Sequence, residues 1–196
     1  MYKQYDFFGF CRLIRSFILT KLFYSNARLI RFPFDIRNKK FIKIGNNLTC
    51  GYNCRFEAYP FSNKSKAVLL FGENVEINDN VHISAGECIN IGNNVLIASK
   101  IFITDINHGS YKGLIQDEPT SIPKNRKLST SPVTIEDNVW IGEGSCILPG
   151  VTIGEGSIIG TLSVVTKDIP KNSIAIGNPA RVIKRYDFEF KIWINV

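Results

Sequence analysis

Six aliphatic residues, Ile135, Ile141, Ile147, Ile153, Ile159 and Val165, recur at a strict interval of six, and the residue that follows each is usually small or acidic. A period of six matches neither the 3.6 of a helix nor the 2 of a strand. It fits a coil with three flat faces. One aliphatic side chain per face points to the axis, and the corner residues are drawn from Gly, Asn and Asp, which tolerate positive φ. Eighteen residues close one turn. Turns stack at about 4.8 Å, the spacing of neighbouring strands, and each buries its neighbour's apolar edge, so no turn is stable alone.

The repeat therefore predicts an all-β solenoid, a parallel β-helix. Fainter repeats start at Ile44 and Cys50, stop over residues 59–66 (Pro60, Ser62, Asn63 and Ser65 mark a loop) and return at Phe71, Ile77 and Ile83. A slip of two residues at 88–90 predicts a bulged corner, after which Ile91, Ile97 and Ile103 resume the period. From His108 to Pro132 the pattern is lost in a stretch rich in Gly, Ser and Pro. An excursion of that length without evident secondary structure is usually functional. The division that follows is a helical basic appendage over 1–43, the β-helix over 44–185 with a protruding loop at 109–132, and a tail over 186–196 that packs back as helix or strand.

Charge divides along the same line. The chain has 196 residues and a net charge of +7, yet residues 1–43 alone carry ten Lys or Arg against Asp6 and Asp35, a net of +8. Residues 6–24 place Phe7, Phe10, Leu13, Ile14, Phe17, Ile18 and Leu22 near helical spacing, with Arg12, Arg15 and Lys21 between them. Two roles fit this amphipathic helix and do not exclude each other. It can cap the open end of the solenoid, whose last strand edge is otherwise unpaired, or lie against an anionic membrane surface. No element for reading nucleic acid accompanies the charge. No signal peptide is evident, and no apolar run reaches the roughly 18 to 20 residues that spanning needs. Five cysteines without a Cys-x-x-Cys pair point to reduced thiols in a cytoplasmic protein.

Only His82 and His108 can serve as a base near neutral pH through an imidazole. His108 stands where the long loop begins, and Asp105 or a backbone carbonyl can hold one of its ring nitrogens. His82 lies beside Ser84 at the end of a hexapeptide, either as a plain corner residue or as a second polar contact in the same groove. Two histidines cannot supply a zinc site of three histidine ligands.

Asn80-Val81-His82-Ile83-Ser84-Ala85, Asp105-Ile106-Asn107-His108-Gly109, Asn138-Val139-Trp140-Ile141-Gly142-Glu143-Gly144 and the segment from Gly177-Asn178-Pro179-Ala180-Arg181 to Lys184 resemble the hexapeptide-repeat O-acetyltransferases of O-antigen, colanic acid and other bacterial surface polysaccharides. The likeness covers residues 44–185. It implies a left-handed coil, a homotrimer, acetyl-CoA as donor in the groove between subunits, and no metal. In such enzymes the histidine matching His108 is the general base, here with Asp105 beside it, in a direct transfer to an acceptor hydroxyl. His82, Ser84, Asn107 and Trp140 match acceptor-side positions. Trp140, Gly142, Glu143, Gly160 and Thr161 match the donor side, with backbone N–H groups meeting the oxyanion. Lys167, Arg181, Lys184 and Arg185 match the place of the coenzyme phosphates. Relatives usually carry Gly-Ala-Asn-Ser or Gly-Ala-Gly-Ser where this chain has Gly160-Thr161-Leu162-Ser163, which bears on coenzyme affinity or acyl preference. The expected function is acetyl transfer to a sugar hydroxyl of a surface polysaccharide or its precursor, at the inner face of the cytoplasmic membrane with residues 1–30 in contact with it. Acetylation of a small soluble acceptor, and a non-catalytic trimeric scaffold, are the alternatives.

Overall fold

A computed structural model describes residues 5–61 and 66–196. Lys3, and the Ser62, Asn63 and Ser65 of the expected interruption, lie outside the described residues. Three stacks of short parallel strands make the three faces of a β-helix. On the first face Ile30, Cys50, Ile77, Ile97, Ile141, Ile159 and Ala175 are paired in one column, all pointing into the core. The second face aligns Phe56, Ile83, Ile103, Ile147 and Val165, and the third Phe71, Ile91, Ile135 and Ile153. These are the residues of the six-residue period. Each buried aliphatic side chain contributes about 1.5 to 3 kcal/mol, and the column makes every turn depend on the next.

Backbone chemistry sets the corners. Between the third and first faces Asn47, Asn74, Asn94, Asn138 and Asn172 adopt left-handed φ of 53 to 62°. The side-chain amides of Asn47, Asn74 and Asn94 each donate to the next asparagine down the stack at 3.1 to 3.3 Å. Between the first and second faces the left-handed residues are Asn53, Asn80, Lys100, Gly144 and Leu162. At that corner Gly142 is required by space: a Cβ there would stand 2.7 Å from the Thr161 amide nitrogen and 2.8 Å from the Ile159 carbonyl oxygen.

Two boundaries differ from expectation. The solenoid begins at Leu29–Ile30, Phe34–Arg37 and Ile42–Lys43, which form a full turn inside the stretch assigned to the appendage. Its inward residues Ile30 and Ile36 keep the six-residue spacing, and beside them Phe34, Phe56 and Phe71 pack ring to ring at 5.1 Å. At the other end the strand Ala180–Asp187 reverses direction against Ser173–Gly177 and runs through residue 185, and Ile192–Asn195 pairs with it. The tail is strand, and it extends the first face.

The helix Phe7–Phe23 (α1), capped at its start by the Asp6 carboxylate on the Gly9 amide, covers the first turn. Its buried side is small and hydroxylic: Gly9, Ser16 and Thr20. The Thr20 hydroxyl accepts from the Ile30 amide at 2.8 Å, and the Ser16 hydroxyl accepts from the Phe32 amide at 3.3 Å. These are edge groups that a further turn of the solenoid would otherwise satisfy. The aromatic side of α1 faces outward, with Phe7 and Phe8 each 74% exposed.

Candidate active site

Face two carries both histidines. Its outward column runs Asp35, Arg55, His82, Phe102, Cys146 and Val164, and beside it run Arg37, Glu57, Ser84 and Thr104. The expected long loop is not without structure. It opens as a hairpin in which Ile106–His108 pairs antiparallel with Leu128–Thr130, and His108 lies opposite Leu128. The hairpin leans over face two and closes a cleft of about 480 Å³. Tyr59, Phe61, Phe102, Ile106 and Leu128 form its apolar walls; His82, Ser84, Thr104 and His108 are its polar groups. A space of that size with aromatic walls and a few polar groups suits one sugar ring.

His108 is exposed on the hairpin stem, and its carbonyl accepts from the Tyr111 hydroxyl. Arg126 holds that tyrosine, donating to its oxygen at 2.9 Å, and reaches the Ser121 carbonyl at 2.8 Å, which ties the two sides of the loop together. Asn107, next to it, is also exposed.

Asp105 does not orient His108. Its carboxylate is fully buried and accepts three backbone amides, those of Gly86 (2.7 Å), Glu87 (2.8 Å) and Cys88 (2.7 Å). These residues form the corner where the period slips, so the carboxylate stabilises the bulge. Burial raises the Asp105 pKa, against the opposing pull of the three N–H groups. The sequence places Asp105 three residues from His108, but Asp105 stands at the bend between the strands Phe102–Thr104 and Ile106–His108 with its side chain turned inward.

His82 is tied to residues that sequence reasoning passed over. Its Nε2 is 3.0 Å from Glu57 Oε2, and Glu57 Oε1 also accepts from Arg37 at 2.6 Å. Arg55 stands next to His82 in the column, with Nη2 3.2 Å from each ring nitrogen. Nothing in the sequence flags Glu57, which lies 25 residues from His82.

The donor-side positions gather elsewhere. Trp140 is on face one, 47% exposed, in a column with Ile158, Ile174 and Lys184. At the corner between faces one and two, the Gly142 and Gly160 amides are used within the coil, donating to Ile159 and Ala175. The amides of Glu143 and Thr161 make no hydrogen bond among the described residues. Glu143 keeps its side chain on Lys100 at 3.0 Å, away from the backbone. Leu162 holds φ at 57° and is 75% exposed. Arg181, Lys184 and Arg185 lie on the reversed strand that extends face one, and Lys167 is exposed near the end of the stack. Among the described residues no three His, Cys, Asp or Glu side chains are placed to hold a metal.

The description "Bacterial transferase hexapeptide (six repeats)" matches residues 132–167. WbbJ of Escherichia coli K12, a provisionally named lipopolysaccharide biosynthesis O-acetyl transferase, is 45% identical over 192 residues, 97% of this chain and 95% of its own. The chain belongs to the hexapeptide-repeat transferases. Galactoside O-acetyltransferase of Lactococcus lactis is 33% identical over 163 residues, 81% of this chain and 70% of that one. A variant of AntD, an N-acyltransferase from Bacillus cereus solved with dTDP and coenzyme A, superposes with a TM-score of 0.59 at 26% identity, covering 85% of this chain and 84% of that one. This hexapeptide-repeat transferase is an acyltransferase, and its parallel faces and structural relatives imply the left-handed form of the coil. Within one hexapeptide-repeat chain the positions expected on the acceptor side and those expected on the donor side lie apart. The histidine cleft is on face two, toward the corner with face three, and Trp140 is on face one.

Proposed function

We propose that the protein transfers acetyl from acetyl-CoA to a hydroxyl of a sugar in a bacterial surface polysaccharide or its precursor. The observation that carries this reading is the cleft itself, with two imidazoles and two hydroxyl side chains inside aromatic walls of sugar size. The O-acetyltransferases among the relatives supply the donor and the acceptor class.

His108 is the general base. Its exposed ring takes the proton of the acceptor hydroxyl as that oxygen attacks the thioester carbonyl, and returns it to the departing thiolate. Transfer is direct, with no acyl group on the protein. The amides of Glu143 and Thr161, left without partners at the corner, donate to the carbonyl oxygen as it gains charge. Arg181, Lys184 and Arg185, with Lys167, meet the coenzyme phosphates, and Trp140 packs against its arm.

We infer a homotrimer from the split of these groups. A threefold arrangement sets the Trp140 corner of one copy against the His108 cleft of the next, and completes the site between them. Face three, whose outward column includes Lys43, Asn90, Thr134 and Thr152, stays in water. The outward aromatic side of α1, set among Arg12, Arg15 and Lys21, supports peripheral contact with an anionic membrane on its cytoplasmic side. Among the described residues no helix is long and apolar enough to cross a membrane.

Calorimetric titration with acetyl-CoA, joined to transfer assays on methyl glycosides, tests the proposal. The expected result is one saturable site per chain, three per trimer, and acetyl transfer to a sugar hydroxyl. Absence of coenzyme binding would leave the scaffold alternative standing.

A further inference from the structure

His82 is held from three directions. Arg55 and Phe102 are its neighbours in register on the turns before and after it. Nη2 of Arg55 is equidistant from both ring nitrogens at 3.2 Å, a position reached over the face of an imidazole and along neither lone pair. On the other turn the Phe102 ring is 5.1 Å away, tilted by 40°. The imidazole is thus stacked between a guanidinium and a phenyl ring. Its third contact is Glu57, whose carboxylate is 10% exposed and flanked by Arg37 at 2.6 Å and by Arg55 Nε at 3.4 Å. Arg37 donates to that carboxylate and Arg55 flanks it, so toward the ring it presents acceptor oxygens. Nε2 of His82 therefore carries a proton and donates to Glu57. The second ring nitrogen, Nδ1, belongs to a ring that borders both the sugar-sized cleft and the trough beyond it toward Pro33 and Arg55.

We propose that Glu57 and His82 form a fixed hydrogen-bond-accepting dyad: Nδ1 of His82 accepts from a second hydroxyl of the same sugar whose reacting hydroxyl meets His108. The inference rests on the reading of the cleft as a sugar site with His108 as base. It assigns the two histidines different tasks. Among the described residues His108 has no carboxylate partner, and it moves the proton. His82 has its tautomer set by Glu57 and its ring clamped, so it reads the acceptor and selects sugars in which that second hydroxyl is unsubstituted. Glu57 is a positioning residue.

Glu57→Gln tests the tautomer. Arg37 needs an acceptor, so the amide oxygen stays with Arg37 and the amide nitrogen turns to His82. Nε2 must then accept, and Nδ1 gains the proton. Because the chain has only two histidines, ¹⁵N-histidine spectra of the full-length protein resolve two rings. In the wild type one ring is expected to be the Nε2–H tautomer, and in Glu57→Gln that ring alone is expected to invert. Kinetics provide the second arm, with a panel of methyl hexopyranosides and the monodeoxy derivatives of its best member as probes. On the wild type, removal of the partner hydroxyl lowers kcat/KM about tenfold, the cost of one hydrogen bond. On Glu57→Gln, and on His82→Asn as an independent variant, the same removal costs less than about threefold, and the KM for acetyl-CoA is unchanged. An Nδ1–H tautomer in the wild type, or an unchanged deoxy profile in both variants, overturns the dyad while leaving the acetyltransferase reading intact. If the wild type acetylates no glycoside, the sugar reading fails and this proposal with it.

Discussion

The carboxylate of Asp105 accepts the amide of Gly86 at 2.7 Å, and with those of Glu87 and Cys88 it closes the bulged corner one turn above the His108 hairpin. A carboxylate so occupied supports the site from beneath and does not act in it. Asp105→Ala leaves three amides without an acceptor in a largely buried corner. At about 1 kcal/mol or more for each, a loss of roughly 3 kcal/mol is expected, read as a lowered denaturation midpoint. Asp105→Asn keeps one acceptor oxygen and loses less. In both variants the pH profile of the remaining activity is expected to match the wild type, because the carboxylate does not touch the base. A displaced acid limb in Asp105→Asn would restore Asp105 as the partner of His108.

His108→Ala is expected to lower kcat at least about a hundredfold, the typical contribution of a general base. The ring is exposed on the hairpin stem, so melting temperature and oligomeric state are expected to stay unchanged. Turnover near the wild-type rate in a folded His108→Ala protein would remove the histidine from the mechanism.

Which parts of this fold could be read from the chain depends on the range of the rule that sets them. The aliphatic column follows a local rule of one inward residue in six, and Ile135 to Val165 state it without interruption. The corner asparagines are equally local, since positive φ selects them wherever they stand. Side-chain partners across turns are different. Cys146 and Val164 are partners 18 residues apart, but Arg55 and His82 are 27 apart, His82 and Phe102 20, and Phe102 and Cys146 44. Each loop or slip changes the count, so the contact of Glu57 with His82 cannot be obtained by adding eighteen. The same slip hid the task of Asp105, whose partners 17 to 19 residues earlier lie at the irregular corner. The first turn is marked only by Ile30 and Ile36, and a single interval of six among the aromatic and basic residues of 28–43 does not state a repeat by itself.

The hydroxyl cap of the solenoid can be tested with an isosteric change. Thr20→Val keeps the volume and removes the oxygen that accepts from the Ile30 amide and donates to the Ser16 and Ile30 carbonyls at 2.7 and 3.2 Å. All of these groups are buried. A loss of about 2 kcal/mol is expected, mostly the desolvation of the unpaired Ile30 amide. Ser16→Ala, whose bond to Phe32 is longer and partly exposed, is expected to cost less. The order of the two midpoints in urea checks the assignment.

Acid should weaken the corner between the third and first faces. The Asp137 carboxylate accepts the Asn93 amide at 2.8 Å and its side-chain amide at 3.1 Å, and these bonds, the backbone one foremost, lower its pKa. A lowered carboxylate pKa gives stability that is complete above the unfolded value, about 3.9, and is lost as pH falls through the lower folded value. Asp137→Asn should therefore be less stable than wild type at neutral pH, with the difference shrinking below about pH 4. Melting temperatures measured from pH 7 to pH 3 give the comparison. Curves that stay parallel over that range would separate the corner from proton linkage.

The outward side of α1 gives the last prediction. A helix that buries Gly9, Ser16 and Thr20 leaves Phe7, Phe8, Phe10, Phe17, Ile18 and Leu22 exposed. Apolar groups in that number beside Arg12 and Arg15 match the two requirements of an interfacial helix, apolar area and attraction to anionic lipid. The full-length protein is expected to float with vesicles containing phosphatidylserine and to remain behind with phosphatidylcholine alone. Changing Phe7, Phe8 and Phe17 together to Ser should abolish flotation and leave the melting temperature within about 2 °C, because none of the three lies on the buried side of the helix. A change of oligomeric state in that variant, with flotation never seen in the wild type, would reassign the aromatic side to a neighbouring subunit. Flotation retained by the triple variant would place the lipid contact on the basic residues alone.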